Sequence, residues 1–93
     1  MQWEIPRPSK KLMGKKLGEE WVFLHLEKGR YYGLNETGSW IWDQLASRTD
    51  FKTILEDLHR LCGIDRETLE KDLHHFLREL EKEGLAEIEK SAA

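Results

Sequence analysis

Two hydrophobic periods divide the chain near residue 35. Before it, apolar and polar positions alternate. Trp21, Phe23 and His25 fall on one side of an extended segment and Val22, Leu24 and Leu26 on the other, as in a strand with two unlike faces. Glu27-Lys28-Gly29-Arg30 is turn chemistry and leads into a second run at residues 30–34. Residues 11–16, between Pro8 and Gly18, supply a further extended run. The pattern predicts a three-stranded antiparallel sheet over residues 11–16, 20–26 and 30–34.

After residue 35 the apolar residues recur at three and four. Asn35 is suited to cap a helix running to about Ser47, on which Gly38, Ile41, Trp42 and Leu45 share a face while Trp40 points elsewhere. Thr49 or Asp50 caps a second helix bearing Phe51, Ile54, Leu55, Leu58, Leu61 and Cys62, ended by Gly63. Asp65 caps a third, with Leu69, Leu73, Phe76, Leu77 and Leu80 on its apolar stripe, closed by Gly84. A short extended piece follows at residues 85–88. The order of elements predicts an α+β fold of the winged helix-turn-helix kind, a three-stranded antiparallel sheet followed by a three-helix bundle. Residues 1–10, with Pro6 and Pro8, read as an extended N-terminal arm, residues 11–88 as the folded domain and residues 89–93 as a frayed tail.

A chain of 93 residues that is 39% hydrophobic holds one modest core and leaves little room for an enclosed active site. Surface binding becomes the default expectation. Cys62 is the one cysteine and, at helical spacing from Leu58 and Leu61, reads as a small core residue. No run approaches the roughly 20 apolar residues of a membrane span, and the first residues lack a signal-peptide core, so the expectation is a cytoplasmic protein without a membrane span. The net charge of -3 is unevenly spread. Arg7, Lys10, Lys11, Lys15 and Lys16 make the N-terminal part basic, and residues 65–83 are acidic.

Candidate chemistry narrows the choice further. His74 and His75 are adjacent on a helix and diverge by about 100°, and His25 and His59 lie on other elements, so no metal site is expected. No glycine-rich phosphate loop is present, nor a Ser or Cys with a base at a known catalytic spacing, so neither a cofactor nor an enzymatic reaction is expected. The helix-turn-helix raises a nucleic-acid-binding reading. Against it, the would-be recognition helix exposes Glu67, Glu70, Asp72 and Glu79, which repel a phosphate backbone. Trp3 and Trp40 are possible contact residues for a partner, and Trp42 fits the core.

The stretch "YYGLNETGSWIWDQL", followed by "ILEDLHRLCGIDRETLEKDLHHFLRELEKEGLAEI", resembles the PqqD-like family over residues 11–88. Leu34-Asn35-Glu36-Thr37-Gly38 together with Ile41-Trp42 is its most specific part. The resemblance implies three strands packed on three helices and a non-catalytic role: binding the leader of a ribosomally made precursor peptide and presenting it to modifying enzymes. Members in pyrroloquinoline quinone synthesis carry a Tyr-Pro-Glu-Gly-like turn where this chain has Glu27-Lys28-Gly29-Arg30. The chain is more similar to free-standing versions from lasso-peptide systems, which implies a leader peptidase and a cyclase as partners. An adaptor for another modified peptide or for pyrroloquinoline quinone synthesis is the alternative within the family, and a winged-helix nucleic-acid-binding regulator the alternative outside it.

An added peptide strand needs an open sheet edge and pockets beside it. The expected groove lies between the third strand and the third helix. Lys28, Arg30, Tyr31, Tyr32 and Gly33 are its candidates on the strand, and Leu69, Leu73, Phe76 and Leu77 on the helix, with Glu70 and Asp72 as a polar rim. The most inward of these apolar residues are expected to be core, because one helix cannot turn the whole stripe inward, and those at its edge face the groove.

Overall fold

The computed structural model describes residues 5–89. Arg7–Pro8 forms β1, Leu12–Leu17 β2, Glu20–His25 β3 and Arg30–Gly33 β4. Three helices follow, α1 at Glu36–Ala46, α2 at Phe51–Cys62 and α3 at Arg66–Lys82, and Ala86–Glu87 forms β5. Strands β2, β3 and β4 make an antiparallel meander in that order, while β1 pairs with β5 in a separate two-stranded ribbon. The three strands and three helices expected from the two periods are all present.

Each helix begins where its cap residue stands. The side chains of Asn35, Asp50 and Asp65 accept the backbone N–H of Gly38, Thr53 and Thr68, each three residues on. At the end of α3, Gly84 adopts φ +78°, and Leu85 N–H returns to the carbonyl of Leu80. This is a Schellman closure, and a residue free of Cβ strain suits it.

The face of β3 carrying Trp21, Phe23 and His25 turns toward the helices. Phe23 meets Trp42 of α1 with ring centroids 4.5 Å apart and stacks on Trp21 at 5.6 Å. Around this contact Leu45, Ile54, Leu58, Leu73, Leu77 and Leu80 close the core. Trp40 is half-buried against the same cluster, so it contributes packing as well as surface. The opposite sheet face has no helix over it and leaves Met13, Leu17, Leu26 and Tyr31 exposed.

Cys62 departs from expectation: it is exposed, as is Leu61. The buried stripe of α2 is Ile54, Leu55 and Leu58, and it does not extend into the last turn. Part of the expected extended arm also lies on the body. Arg7 and Pro8 pair with Glu87 and Ala86, and the Arg7 guanidinium donates to the carbonyls of Leu45, in the last turn of α1, and of Thr49, in the loop that follows it. Trp3 lies outside the described residues.

The sheet is fastened to α1 by Ser39, which is fully buried. Its Oγ accepts Trp21 N–H at 2.8 Å and donates to the Leu34 carbonyl at 3.2 Å. Since Leu34 N–H also reaches Trp21 O, the hydroxyl stands in for the second bond of that strand pair. Ser39→Ala strands both groups in the interior, and the expected loss is about 2 kcal/mol in chemical denaturation, with the fold retained.

Asp43 makes a second tie, accepting Trp21 Nε1–H at 2.8 Å and Lys16 Nζ–H at 2.8 Å. Burial pushes its carboxyl up, but the hydrogen bonds from Lys16 and Trp21 outweigh that and hold it below the usual aspartate range. A folded-state value below the unfolded one gives stability that is present above the unfolded pKa of about 3.9 and lost as pH falls through the folded value. Asp43→Asn is therefore expected to be less stable than wild type at pH 7. The gap should narrow below about pH 4, as read by thermal unfolding across pH.

Candidate functional site

The register determines which backbone groups of β4 are free. Leu34 N–H bonds to Trp21 O, and hydrogen-bonded pairs alternate along an antiparallel ladder. Phe23↔Tyr32 and His25↔Arg30 are then bonded pairs, and Val22↔Gly33 and Leu24↔Tyr31 are not. The N–H and C=O groups of Tyr31 and Gly33 consequently point away from β3. No strand lies on that side among the described residues. The other open edge, β2, carries Lys15 and Lys16, the kind of charge that discourages edge pairing.

Alternation also separates the two tyrosines. Tyr31 shares the uncovered face with Leu24 and is 76% exposed. Tyr32 lies opposite Phe23 on the helix-facing side, half-buried against the core. Arg30 and Gly33 are exposed. A Cβ at Gly33 would meet nothing nearer than the Trp21 carbonyl at 4.0 Å, so glycine is not sterically demanded there.

Two pins set β4 beside α3. At the hairpin end, Lys28 Nζ donates to the carbonyl of Glu83 at 2.8 Å, and Lys28 N–H donates to Nδ1 of the buried His25 at 3.2 Å. At the other end the Phe76 ring rests on Gly38, where a Cβ would lie 3.2 Å from Phe76 Cζ. β4 thus runs alongside the C-terminal half of α3. The space between them is bounded by Tyr32, Leu34 and Phe76, all half-buried against the core.

Of the candidates on α3, Leu69, Leu73 and Leu77 are 6%, 2% and 0% exposed and belong to the core. Only Phe76, at the edge of the stripe, reaches the groove. Asp72 stands one turn before it on the same flank, and Glu79 and Glu83 continue that flank at helical spacing. From the sequence Glu79 reads only as an exposed acid that repels phosphate and Glu83 went unremarked, although the series 72, 76, 79, 83 is a readable i, i+4, i+7, i+11 row. Glu70 lies elsewhere. It lines a separate cleft of about 670 Å³ with Ile5, Arg7, Phe51 and His74, on the flank facing away from β4. Lys28 is present at the site as a pin with its ammonium already engaged.

Three of the five basic residues of the N-terminal part are engaged separately. Arg7 caps α1, Lys11 pairs with Glu27 at 2.9 Å, and Lys16 pairs with Asp43. Among the described residues no group of three or more His, Cys, Asp or Glu is placed to hold a metal ion.

The fold and this site define a small α+β domain whose sheet ends in an unpaired strand backed by a helix. A model of the family described as coenzyme PQQ synthesis protein D (PqqD) matches residues 20–86, and the chain belongs to that family. A solved structure, TbiB1 in complex with the TbiA(beta) leader peptide, is similar to this chain with a TM-score of 0.81 at 32% identity, covering 94% of this chain and 98% of that one. A lasso peptide synthetase B1 complexed with the leader peptide shares the fold, with a TM-score of 0.80 at 21% identity over 87% of this chain and 95% of that one. No curated protein matches.

Gly38 limits how the groove can be built. Gly38→Val forces the Phe76 ring outward and crowds the Asn35 cap, whose Oδ1 would lie 3.2 Å from the new Cβ. A loss of about 1–3 kcal/mol in thermal or chemical unfolding is expected.

Proposed function

We propose that this chain is a non-catalytic adaptor that takes the leader segment of a ribosomally made precursor peptide as a further strand on β4. It then presents the remainder to modifying enzymes, a leader peptidase and a cyclase, in cytoplasmic lasso-peptide biosynthesis. The observation that carries the reading is the outward-facing backbone of Tyr31 and Gly33 beside α3. The similarity to TbiB1, whose structure holds a leader peptide, supports it.

Energetics separate what the edge supplies from what the groove must add. Each backbone hydrogen bond nets about 0.5–1.5 kcal/mol, so the two N–H and two C=O groups offered by Tyr31 and Gly33 give about 2–6 kcal/mol in all. Micromolar affinity needs about 8 kcal/mol after association costs. Apolar contact with Tyr32, Leu34 and Phe76 supplies the difference at about 25 cal/mol per Å² buried. Sequence preference then lies with these side chains and with Asp72 and Glu79 along the rim. Arg30 borders the opposite end, and Lys28 acts by holding the hairpin against α3.

The nucleic-acid reading has no comparable support. Arg7, Lys11 and Lys16 are each engaged by a separate partner, and α3 carries acids on its exposed face.

The test uses a synthetic leader peptide, either TbiA(beta) leader or one from a short open reading frame beside the gene, titrated by backbone amide shifts and calorimetry. Tyr31→Pro removes an outward N–H without breaking the β3–β4 ladder, a placement proline tolerates on edge strands. At least tenfold weaker binding than in Tyr31→Ala is expected, with both variants folded. Equal affinity in the two would refute strand addition at β4.

A further inference from the structure

Tyr32 holds the one buried side-chain polar atom without a hydrogen-bond partner among the described residues, its hydroxyl oxygen. The ring lies on the helix-facing side of β4, between the Lys28–Glu83 pin and the Phe76–Gly38 contact, on the strand bordering the open edge. Every other strand bond of Tyr32 is spent inward, on Phe23.

That inward spending has a geometric consequence for an added strand. A residue whose backbone bonds to one neighbour stands at a non-hydrogen-bonded position toward the other, where opposed side chains come closest, with Cα atoms about 4.5 Å apart. Resting on the adaptor reading above, we infer that the Tyr32 hydroxyl is the polar specificity element of the groove. The leader residue directly opposite Tyr32 carries a long side chain with a terminal hydrogen-bonding group, which runs alongside the phenol ring and pairs with its hydroxyl. Both side chains lie on the helix-facing side, since directly opposed residues share a face. The hydroxyl is covered in the free chain, so the arriving side chain engages it by displacing what lies over it. Pairing removes a penalty that the free protein bears, and an apolar residue at that leader position leaves the penalty in place.

The free protein and the complex give opposite signs for one variant. Tyr32→Phe deletes the unpaired hydroxyl and keeps the ring, so the free chain is expected to melt about 4 °C higher. Its affinity for the leader is expected to fall about fivefold to tenfold. An alanine scan of the same peptide, titrated by calorimetry against wild type and Tyr32→Phe, then locates the partner. One leader position should lose its effect in the variant, a coupling of at least fivefold confined to that residue.

The outcomes are distinct. Wild-type binding with no position coupled to Tyr32, or with Tyr32→Phe binding as tightly as wild type, overturns this inference and leaves strand addition standing. An unchanged or lower melting temperature in Tyr32→Phe overturns it as well, since the hydroxyl is then paired in the free chain. Failure of wild type to bind either leader peptide overturns the adaptor reading and this inference together.

Discussion

A single hydroxyl decides where the sheet stops. Ser39 Oγ sits between the Trp21 N–H and the Leu34 carbonyl, so the first turn of α1 completes a strand pair that the backbone alone leaves half made. That bridge forces the chain to leave β4 for α1 immediately after Gly33, and the strand is only four residues long as a result. A short strand held on one side, with its outer groups facing solvent, can accept another strand. The helix start that this bridge holds places Gly38, whose N–H donates to Asn35, against the Phe76 ring.

Charge is deployed in two different ways around this frame. Lys16, Asp43 and the Trp21 indole form a compact tie between sheet and helix, and Arg7 and Lys28 close helix ends by donating to carbonyls. These groups serve the fold, and they draw the basic N-terminal part of the sequence into scattered local contacts. Asp72, Glu79 and the C-cap residue Glu83 instead fall in one row with Phe76 along a flank of α3.

Much of this was legible before the structure. The alternation through Trp21, Phe23 and His25 identified the core face of β3. Asn35, Asp50 and Asp65 marked the helix starts because a cap side chain acts only on residues two or three away. The sequence reading names Leu69, Leu73, Phe76 and Leu77 together as candidates on α3, and burial separates Phe76 from the other three. Helical spacing gathers Leu69, Leu73, Phe76 and Leu77 into one stripe but does not say which side of the stripe meets the sheet. For the same reason Glu70 and Asp72, two residues apart, were grouped on one rim although they face opposite flanks.

The sequence by itself determined the elements, their caps and their two faces, because these depend on hydrogen bonds and periodicities that reach only a few residues along the chain. Tertiary structure alone decided which edge stays open, which flank of α3 borders it, that Cys62 ends in solvent, and that β1 and β5 pair across nearly the whole chain. Those features rest on contacts such as Lys28 to Glu83, 55 residues apart, whose partners are chosen by packing of the completed core. No local pattern carries that information, since the same stripe of leucines could be rotated by one residue's turn without changing a single cap or period.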